Sequence, residues 1–108
     1  MIKITIFKNH DDKYLGFTCL GHAEYAEEGE DIVCAGVSAL VVNTVNSLEM
    51  FTSEKFETDA EVGGEIAIRF ESPAGHDADL LVKSLVLGLQ GIQETYGDEY
   101  IVLDFREV

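Results

Sequence analysis

The chain is poor in several residue types, and each shortage excludes a class of protein. Among its 108 residues there are two cysteines, one proline and no tryptophan. Two cysteines cannot form the disulfide framework of a small secreted domain, so we expect free thiols in a reducing cytoplasm. No apolar run approaches the roughly 18 residues that a membrane span needs, so we expect no membrane partner. Residues 1–7 alternate in polarity and lack a small-residue cleavage site, which argues against a signal peptide.

Basic side chains are also scarce. Seven lysines and arginines stand against 21 acidic residues, giving a formal net charge of -14. Such a chain repels phosphate backbones, so we expect no direct contact with nucleic acid and, if anything, a basic partner. A hydrophobic fraction of 46% is ordinary for a folded protein. At this length we expect one domain over residues 1–108.

Hydrophobic periodicity predicts an α+β fold in the order ββαββαβ, with two long helices packed on a largely antiparallel sheet in two layers. Strands are predicted at 2–8, 14–20, 55–62, from 66 to 70 and at 99–106, and helices at 32–52 and 77–96. Gly63 and Gly64 are expected to form a hairpin turn, and Gly97 a left-handed helix cap. The predicted buried stripe of the first helix is Val33, Val37, Leu40, Val41, Thr44, Leu48 and Phe51. Alternation also predicts one apolar face on each of three strands, formed by Ile2, Ile4 and Ile6 (with Lys3 and Thr5 opposite), by Leu15, Phe17 and Cys19, and by Ile101, Leu103 and Phe105.

The segment between the second strand and the first helix contains the candidate chemistry. If Asp31 caps the helix, Cys34 is its third residue, near free backbone amides and the positive end of the helix dipole. That setting favours a thiolate. His22 follows the strand and is a candidate to take the thiol proton and return it to a leaving amine. Spacing alone does not bring the two together, and a solvated histidine and a structural cysteine are the plain alternative.

Several neighbours modify this hypothesis. Ser38 lies one helical turn after Cys34 and can donate toward its sulfur or serve simply in packing. Asp31 can hold the imidazole, although capping is the favoured role. The loop also carries four glutamates, which attract a cationic substrate or form a solvated surface. The candidate substrate-loop residues are Gly21, Glu24, Glu27, Glu28, Gly29 and Glu30.

Two other classes of protein stay open at this point. Cys19, His22 and Cys34 supply three soft ligands for zinc, but they lack a fourth, and Cys19 falls on an apolar strand face, so we expect no metal. Phosphate-binding glycine motifs are absent, and we expect no cofactor. A non-enzymatic acidic module that binds a basic partner protein is the other alternative to an enzyme that uses Cys34 and His22.

The combination of residues 21–23, the acidic loop ending at 29–31 and the run 32–40 resembles the Prp family, the ribosomal-processing cysteine proteases. The resemblance extends over essentially the whole chain, and the segments around His22 and Cys34 are its specific part. One departure is Gly36, where many relatives have alanine.

The resemblance implies a concrete function. Family members remove the N-terminal extension of a basic large-subunit ribosomal protein, the twenty-seventh, during bacterial ribosome assembly. It assigns the catalytic cysteine and histidine to Cys34 and His22, and supporting roles to Asp31 and Ser38. It also implies a cytoplasmic homodimer whose loop is mobile over the site.

Overall fold

Five strands and two helices make up the chain, in the order ββαββαβ that the sequence predicts. The computed structural model describes residues 1–27, 29–61 and 65–108. The strands are β1 (Ile2–Lys8), β2 (Tyr14–Leu20), β3 (Phe56–Glu61), β4 (Glu65–Phe70) and β5 (Ile101–Glu107), and the helices are α1 (Ile32–Phe51) and α2 (His76–Tyr96). The predicted turn at Gly63 and Gly64 lies outside the described residues.

The strands form one sheet in the order β3-β4-β2-β1-β5. The pairs β1–β2, β2–β4 and β3–β4 are antiparallel, whereas β1 and β5 run parallel. β1 and β5 can be parallel because α2 provides the crossover that returns the chain to the same end of the sheet. The expected α+β class with a largely antiparallel sheet is therefore confirmed.

Alternation places the core residues of β1 and β2 correctly, with two exceptions. Ile2, Ile4 and Ile6 are buried, but so is Thr5, which we expected on the open face. Thr5 is shielded because its strand is flanked on both sides, by Thr18 and Asp104 in register. The pairing also shifts between Phe7 and Lys8, so the buried position at the start of β2 is Tyr14, and the predicted core residue Leu15 is only half-buried.

The buried stripe of α1 packs on the sheet. Val33, Val37, Val41, Thr44 and Leu48 are buried, as their spacing predicts. Phe51, the last member of the predicted stripe, is 76% exposed because the helix ends there, beyond the edge of the core. Phe105, predicted on the core side of β5, is likewise 48% exposed, because β5 is an edge strand.

α2 packs beside α1 through two glycines. A Cβ at Gly88 would lie 2.9 Å from Leu40 Cδ1, and one at Gly36 would lie 3.4 Å from Ile92 Cδ1. Gly88 therefore lets the helix axes approach more closely than alanine would. The contacts also show that α2 lies against the Gly36 and Leu40 side of α1.

Gly97 ends α2 in a different conformation from the one we predicted. Its φ is 109°, in the positive range that favours glycine, but its ψ of 161° is extended rather than left-handed helical. Its amide still donates to the Gln93 carbonyl. The extended ψ directs the chain from the end of α2 toward the start of β5.

α1 is also long and apolar enough to cross a membrane, judged by length and composition alone. Such a property is shared by core helices. In this fold one side of α1 is packed on the sheet, with Val37, Val41 and Leu48 no more than 1% exposed.

Burial in α1 predicts a sharp contrast between two neighbouring apolar residues. Leu48→Ala removes a fully buried side chain and should lower the free energy of unfolding by about 2–5 kcal/mol. Phe51→Ala removes a largely exposed ring, so its effect should stay within about 0.5 kcal/mol. Urea unfolding followed by circular dichroism measures both values. Equal losses of unfolding free energy in the two variants would contradict the burial of Leu48 and the exposure of Phe51.

Candidate active site

One open cavity, of about 620 Å³, gathers most of the residues that the sequence analysis singled out. It lies where β2 ends and α1 begins. Its lining includes His22, Glu24, Gly29, Asp31, Cys34 and Ser38, together with Ala26 and Ala35, which we did not predict. Gly21, Glu27 and Glu30 are not among the lining residues, and Glu28 lies outside the described part of the chain.

Cys34 is presented to this cavity from the first turn of α1. It is half-buried, and its inner side packs against the hydrophobic core. Val33 and Val37 anchor the turn, since each is 1% exposed. The sulfur is thus held at a helix N-terminus by the packing of its neighbours, with its outer side open to the cavity.

Asp31 joins the loop to the helix through two hydrogen bonds. Its Oδ1 accepts from the Cys34 amide at 2.9 Å, which confirms the predicted N-cap. Its Oδ2 accepts from the Tyr25 amide at 3.0 Å. The Cys34 amide, followed by weaker contributions from other amides, lowers the pKa of this carboxyl below its usual value. Both oxygens therefore serve the backbone, which favours a positioning role over an orienting role toward His22.

Tyr25 holds the loop beside the cavity, a role that sequence reasoning missed. Its ring meets those of Tyr96 and Tyr100 edge-on, with centroids 5.4 Å and 5.0 Å away. Ala23, two residues earlier, is 1% exposed. These contacts fasten the first half of the loop to the end of α2 and the start of β5. The available signal was a single aromatic residue in an otherwise acidic, small-residue segment.

His22 and Ser38 both line the cavity, one from the loop and the other from α1. His22 is exposed and stands between the turn at Gly21 and the buried Ala23. Gly21 has a φ of 90°, and a Cβ there would lie 2.6 Å from the Met1 carbonyl oxygen. Gly21 therefore makes the turn that brings His22 out of the sheet. Ser38, exposed on α1, is one turn beyond Cys34.

The acidic residues of the loop are divided between the cavity and its rim. Glu24 lines the cavity and has a left-handed backbone with φ 58°. Glu27 and Glu30 are exposed and belong to one turn, in which the Glu30 amide donates to the Glu27 carbonyl at 2.9 Å. The mouth of the cavity consequently carries negative charge without a nearby basic partner in its lining.

Cys19 does not share the environment of Cys34. It is 7% exposed, and burial raises the pKa of its thiol to about 11, with a smaller contribution from Cys34. A zinc ligand must be a thiolate, which this burial opposes. Within residues 1–27, 29–61 and 65–108, no three histidine, cysteine or acidic side chains lie close enough together to hold a metal ion.

Comparison with known proteins assigns the chain to a class. A family profile described as cysteine protease Prp matches residues 1–101. The ribosomal processing cysteine protease Prp of Bacillus subtilis is 36% identical over 103 residues, covering 91% of this chain and 92% of the relative. That of Staphylococcus aureus is 35% identical over 107 residues, covering 98% and 100%.

Solved structures agree with these matches. The crystal structure of the Staphylococcus aureus protease with a covalently linked product peptide has a TM-score of 0.93 at 34% identity, covering 98% of this chain and 100% of that chain. A structure from Streptococcus mutans has a TM-score of 0.80 at 27% identity, covering 100% and 96%. The chain is therefore a cysteine protease. Within that class, it belongs to the Prp family.

The different environments of the two cysteines predict selective alkylation. At pH 7.5 a thiol with a pKa of about 11 has a thiolate fraction about three-hundredfold smaller than that of an ordinary thiol with a pKa of about 8.5. Iodoacetamide should label Cys34 and leave Cys19 unmodified until the pH approaches 11 or the chain unfolds. Peptide mass spectrometry distinguishes the two sites, and equal labelling at pH 7.5 would contradict the structure.

The two hydrogen bonds of Asp31 predict a pH-dependent loss of stability. Because its pKa is lowered by folding, the stabilising effect is present above the unfolded value of about 3.9 and disappears as the pH falls through the lower folded value. Asp31→Ala should lower the unfolding temperature at pH 7, and the difference from the wild type should shrink in strong acid. Asp31→Asn keeps an acceptor oxygen for the Cys34 amide, so it should lower the unfolding temperature less than Asp31→Ala does. If the difference in unfolding temperature between wild type and Asp31→Ala stayed constant from pH 7 to strong acid, the stabilising role of the ionised Asp31 carboxylate would be contradicted.

Proposed function

We propose that Cys34 is the nucleophile and His22 the general base and acid of a peptide-bond hydrolysis. The observation that carries this proposal is that His22 and Cys34, which the loop separates in the chain, line the same cavity. The chain that holds this cavity belongs to a cysteine protease family. The first turn of α1 supplies the electropositive environment that a thiolate needs. No cofactor is required for this chemistry.

The proposed reaction has two halves. His22 takes the proton of Cys34, and the sulfur attacks the scissile carbonyl. The tetrahedral intermediate collapses when the imidazolium gives its proton to the leaving amine, which leaves an acyl-enzyme. Water, deprotonated by His22, then attacks the acyl carbon, and the carbon–sulfur bond breaks to release the second product. The imidazolium returns its proton to the departing sulfur of Cys34. Each half returns the imidazole to its starting state.

Backbone amides at the start of α1 are the proposed donors to the oxyanion. The Cys34 amide already donates to Asp31 Oδ1, and the Ala35 amide donates to the Asp31 carbonyl at 3.0 Å. Both amides are engaged within the first turn, so the oxyanion must either share them with Asp31 or accept from the hydroxyl of Ser38, which lines the same cavity. Asp31 acts through the backbone as a positioning residue.

The proposed substrate is the precursor of a basic large-subunit ribosomal protein, the twenty-seventh, whose N-terminal extension is removed during ribosome assembly. The names of the Bacillus subtilis and Staphylococcus aureus relatives support ribosomal processing, and a Staphylococcus aureus structure holds a substrate peptide. A net charge of -14 and the glutamates at the cavity mouth favour encounter with a basic protein rather than RNA.

The proposed setting is a cytoplasmic homodimer. One feature of the fold supports self-association, and a second supports enclosure of the substrate by the loop. Large apolar side chains are exposed on the outer side of both helices, among them Ile32, Met50 and Leu87. The loop that carries Glu24 and Gly29 forms part of the cavity wall, where movement toward the peptide would exclude water.

Substitution of the two proposed catalytic residues tests the reaction. Cys34→Ala should keep the fold and lower the cleavage rate of a peptide spanning the extension by about 10³-fold or more, and His22→Gln should lower it by about 10²–10⁴-fold. His76→Gln, at an exposed histidine that starts α2, serves as the control and should cleave normally. Liquid chromatography of the products measures all three rates.

The same variants distinguish a protease from the alternative function, a non-enzymatic acidic module that binds a basic ribosomal protein during ribosome assembly. A binding module would retain its function in Cys34→Ala and would be insensitive to thiol alkylation. Normal cleavage by Cys34→Ala would disprove the proposed nucleophile.

A further inference from the structure

The loop that carries His22 is held by an aromatic contact with residues far away in the chain. The rings of Tyr96, at the end of α2, and Tyr100, just before β5, form a notch. The ring of Tyr25 meets these two rings at centroid distances of 5.4 Å and 5.0 Å, with interplanar angles of 81° and 74°. Such edge-on contacts are an arrangement that aromatic pairs prefer. A loop residue that is 41% exposed is thus attached to the body of the protein.

The notch itself has little freedom to move. Tyr96 and Tyr100 both pack against the hydrophobic core. The Tyr100 carbonyl accepts from the Ile2 amide at 2.8 Å, and the Tyr100 amide donates to the Gly97 carbonyl at 3.2 Å. The notch is therefore fixed to the start of β1 as well as to the end of α2, so it can hold the loop in one place.

Tyr25 connects the notch to the two proposed catalytic residues by separate routes. Toward the amino terminus, three peptide links separate it from His22, a path of at most about 11 Å. Toward the carboxyl terminus, its amide donates to Asp31 Oδ2 at 3.0 Å, and Asp31 Oδ1 accepts from the Cys34 amide at 2.9 Å. The ring of Tyr25 therefore fixes the point at which the histidine segment and the first turn of α1 are joined.

The restraints closest to His22 are small by comparison. Gly21 turns the chain beside the Met1 carbonyl oxygen, and the methyl group of Ala23 is buried, with 1% exposed. A methyl group buries far less apolar surface than a tyrosine ring, so it resists displacement less. His22 itself is exposed. The position of its imidazole at the cavity consequently depends on how firmly the segment that follows it is held.

We infer that Tyr25 is a positioning residue for the reaction, whose ring in the notch keeps His22 at the cavity that Cys34 lines. The inference rests on the proposed function, in which His22 moves the protons. Tyr25 is not among the described residues that line this cavity, so it acts through the backbone and not by touching substrate. Its loss should reduce turnover more than substrate binding, because misplacement of a reacting group by about 1 Å can lower a rate by about 10²-fold.

Steady-state cleavage of a peptide spanning the extension tests the inference. Tyr25→Ala removes the ring and should lower kcat about tenfold or more, while KM changes by less than about threefold. Tyr25→Phe keeps the ring contacts and should retain about half or more of the wild-type kcat. Phe105→Ala is the matched control, because this aromatic residue is 48% exposed on β5, and it should cleave normally. A kcat for Tyr25→Ala equal to or above the wild-type value would overturn the inference.

A double-mutant cycle tests whether Tyr25 acts through the notch. Tyr100→Leu keeps an apolar side chain against the core but removes one of the two rings that meet Tyr25. In the Tyr100→Leu background, Tyr25→Ala should lower kcat by no more than about threefold, against about tenfold in the wild type. Equal losses in both backgrounds would contradict a role for the notch. Thermal unfolding gives the folded fraction of each variant, and kcat is expressed per folded molecule, so a loss of stability alone does not lower it.

Backbone dynamics separate this inference from the proposed function. NMR relaxation of the backbone nitrogens gives order parameters for residues 22–25 without any substrate. In Tyr25→Ala these order parameters should fall below about 0.6, whereas Tyr25→Phe should keep the wild-type values. Unchanged order at His22 in Tyr25→Ala would overturn the inference, whatever the activity. Normal cleavage by His22→Gln would overturn the proposed function, whereas loss of cleavage in His22→Gln with a wild-type kcat in Tyr25→Ala would overturn only the inference.

Discussion

The carboxylate of Asp31 is the interaction on which the geometry of the site depends. One oxygen holds the amide of Cys34 and starts α1, and the other holds the amide of Tyr25 in the loop. A single side chain thus positions Cys34 and the cavity wall relative to each other. A carboxylate suits this task because it accepts two amide hydrogen bonds and favours the positive end of the helix dipole.

Packing turns this local geometry into a stable site. The inner side of α1 is fully engaged with the sheet, so the first turn of the helix has little freedom to move. The rings of Tyr96 and Tyr100 restrain the loop through Tyr25. Rigid packing on one side and a restrained loop on the other leave an open cavity between them. In this arrangement Cys34 is accessible from the cavity, while Cys19 stays in the core with its pKa raised by burial.

The distribution of charge is as informative as the net value. The glutamates around the cavity mouth belong to the loop, whereas α1 carries a single charged residue, Glu49, near its carboxyl end. The negative charge near Cys34 therefore comes from the loop and not from the helix that carries this cysteine. This distribution suits the proposed substrate, whose body is basic.

Much of the fold and site was predictable because it depends on local pattern. Alternation identified the strands, three- and four-residue spacing identified both helices, and Asp31 was predictable as a cap from its type and position. Resemblance around His22 and Cys34 indicated the family. Local pattern could not show the shifted pairing that buries Tyr14, the exposure of Phe51, or the contact of Tyr25 with two distant tyrosines. Those features depend on neighbours far away in the chain, so only the tertiary structure decided them. It also decided that α1 leaves β3 partly uncovered, because the width of the sheet exceeds the width of the two helices that pack on it.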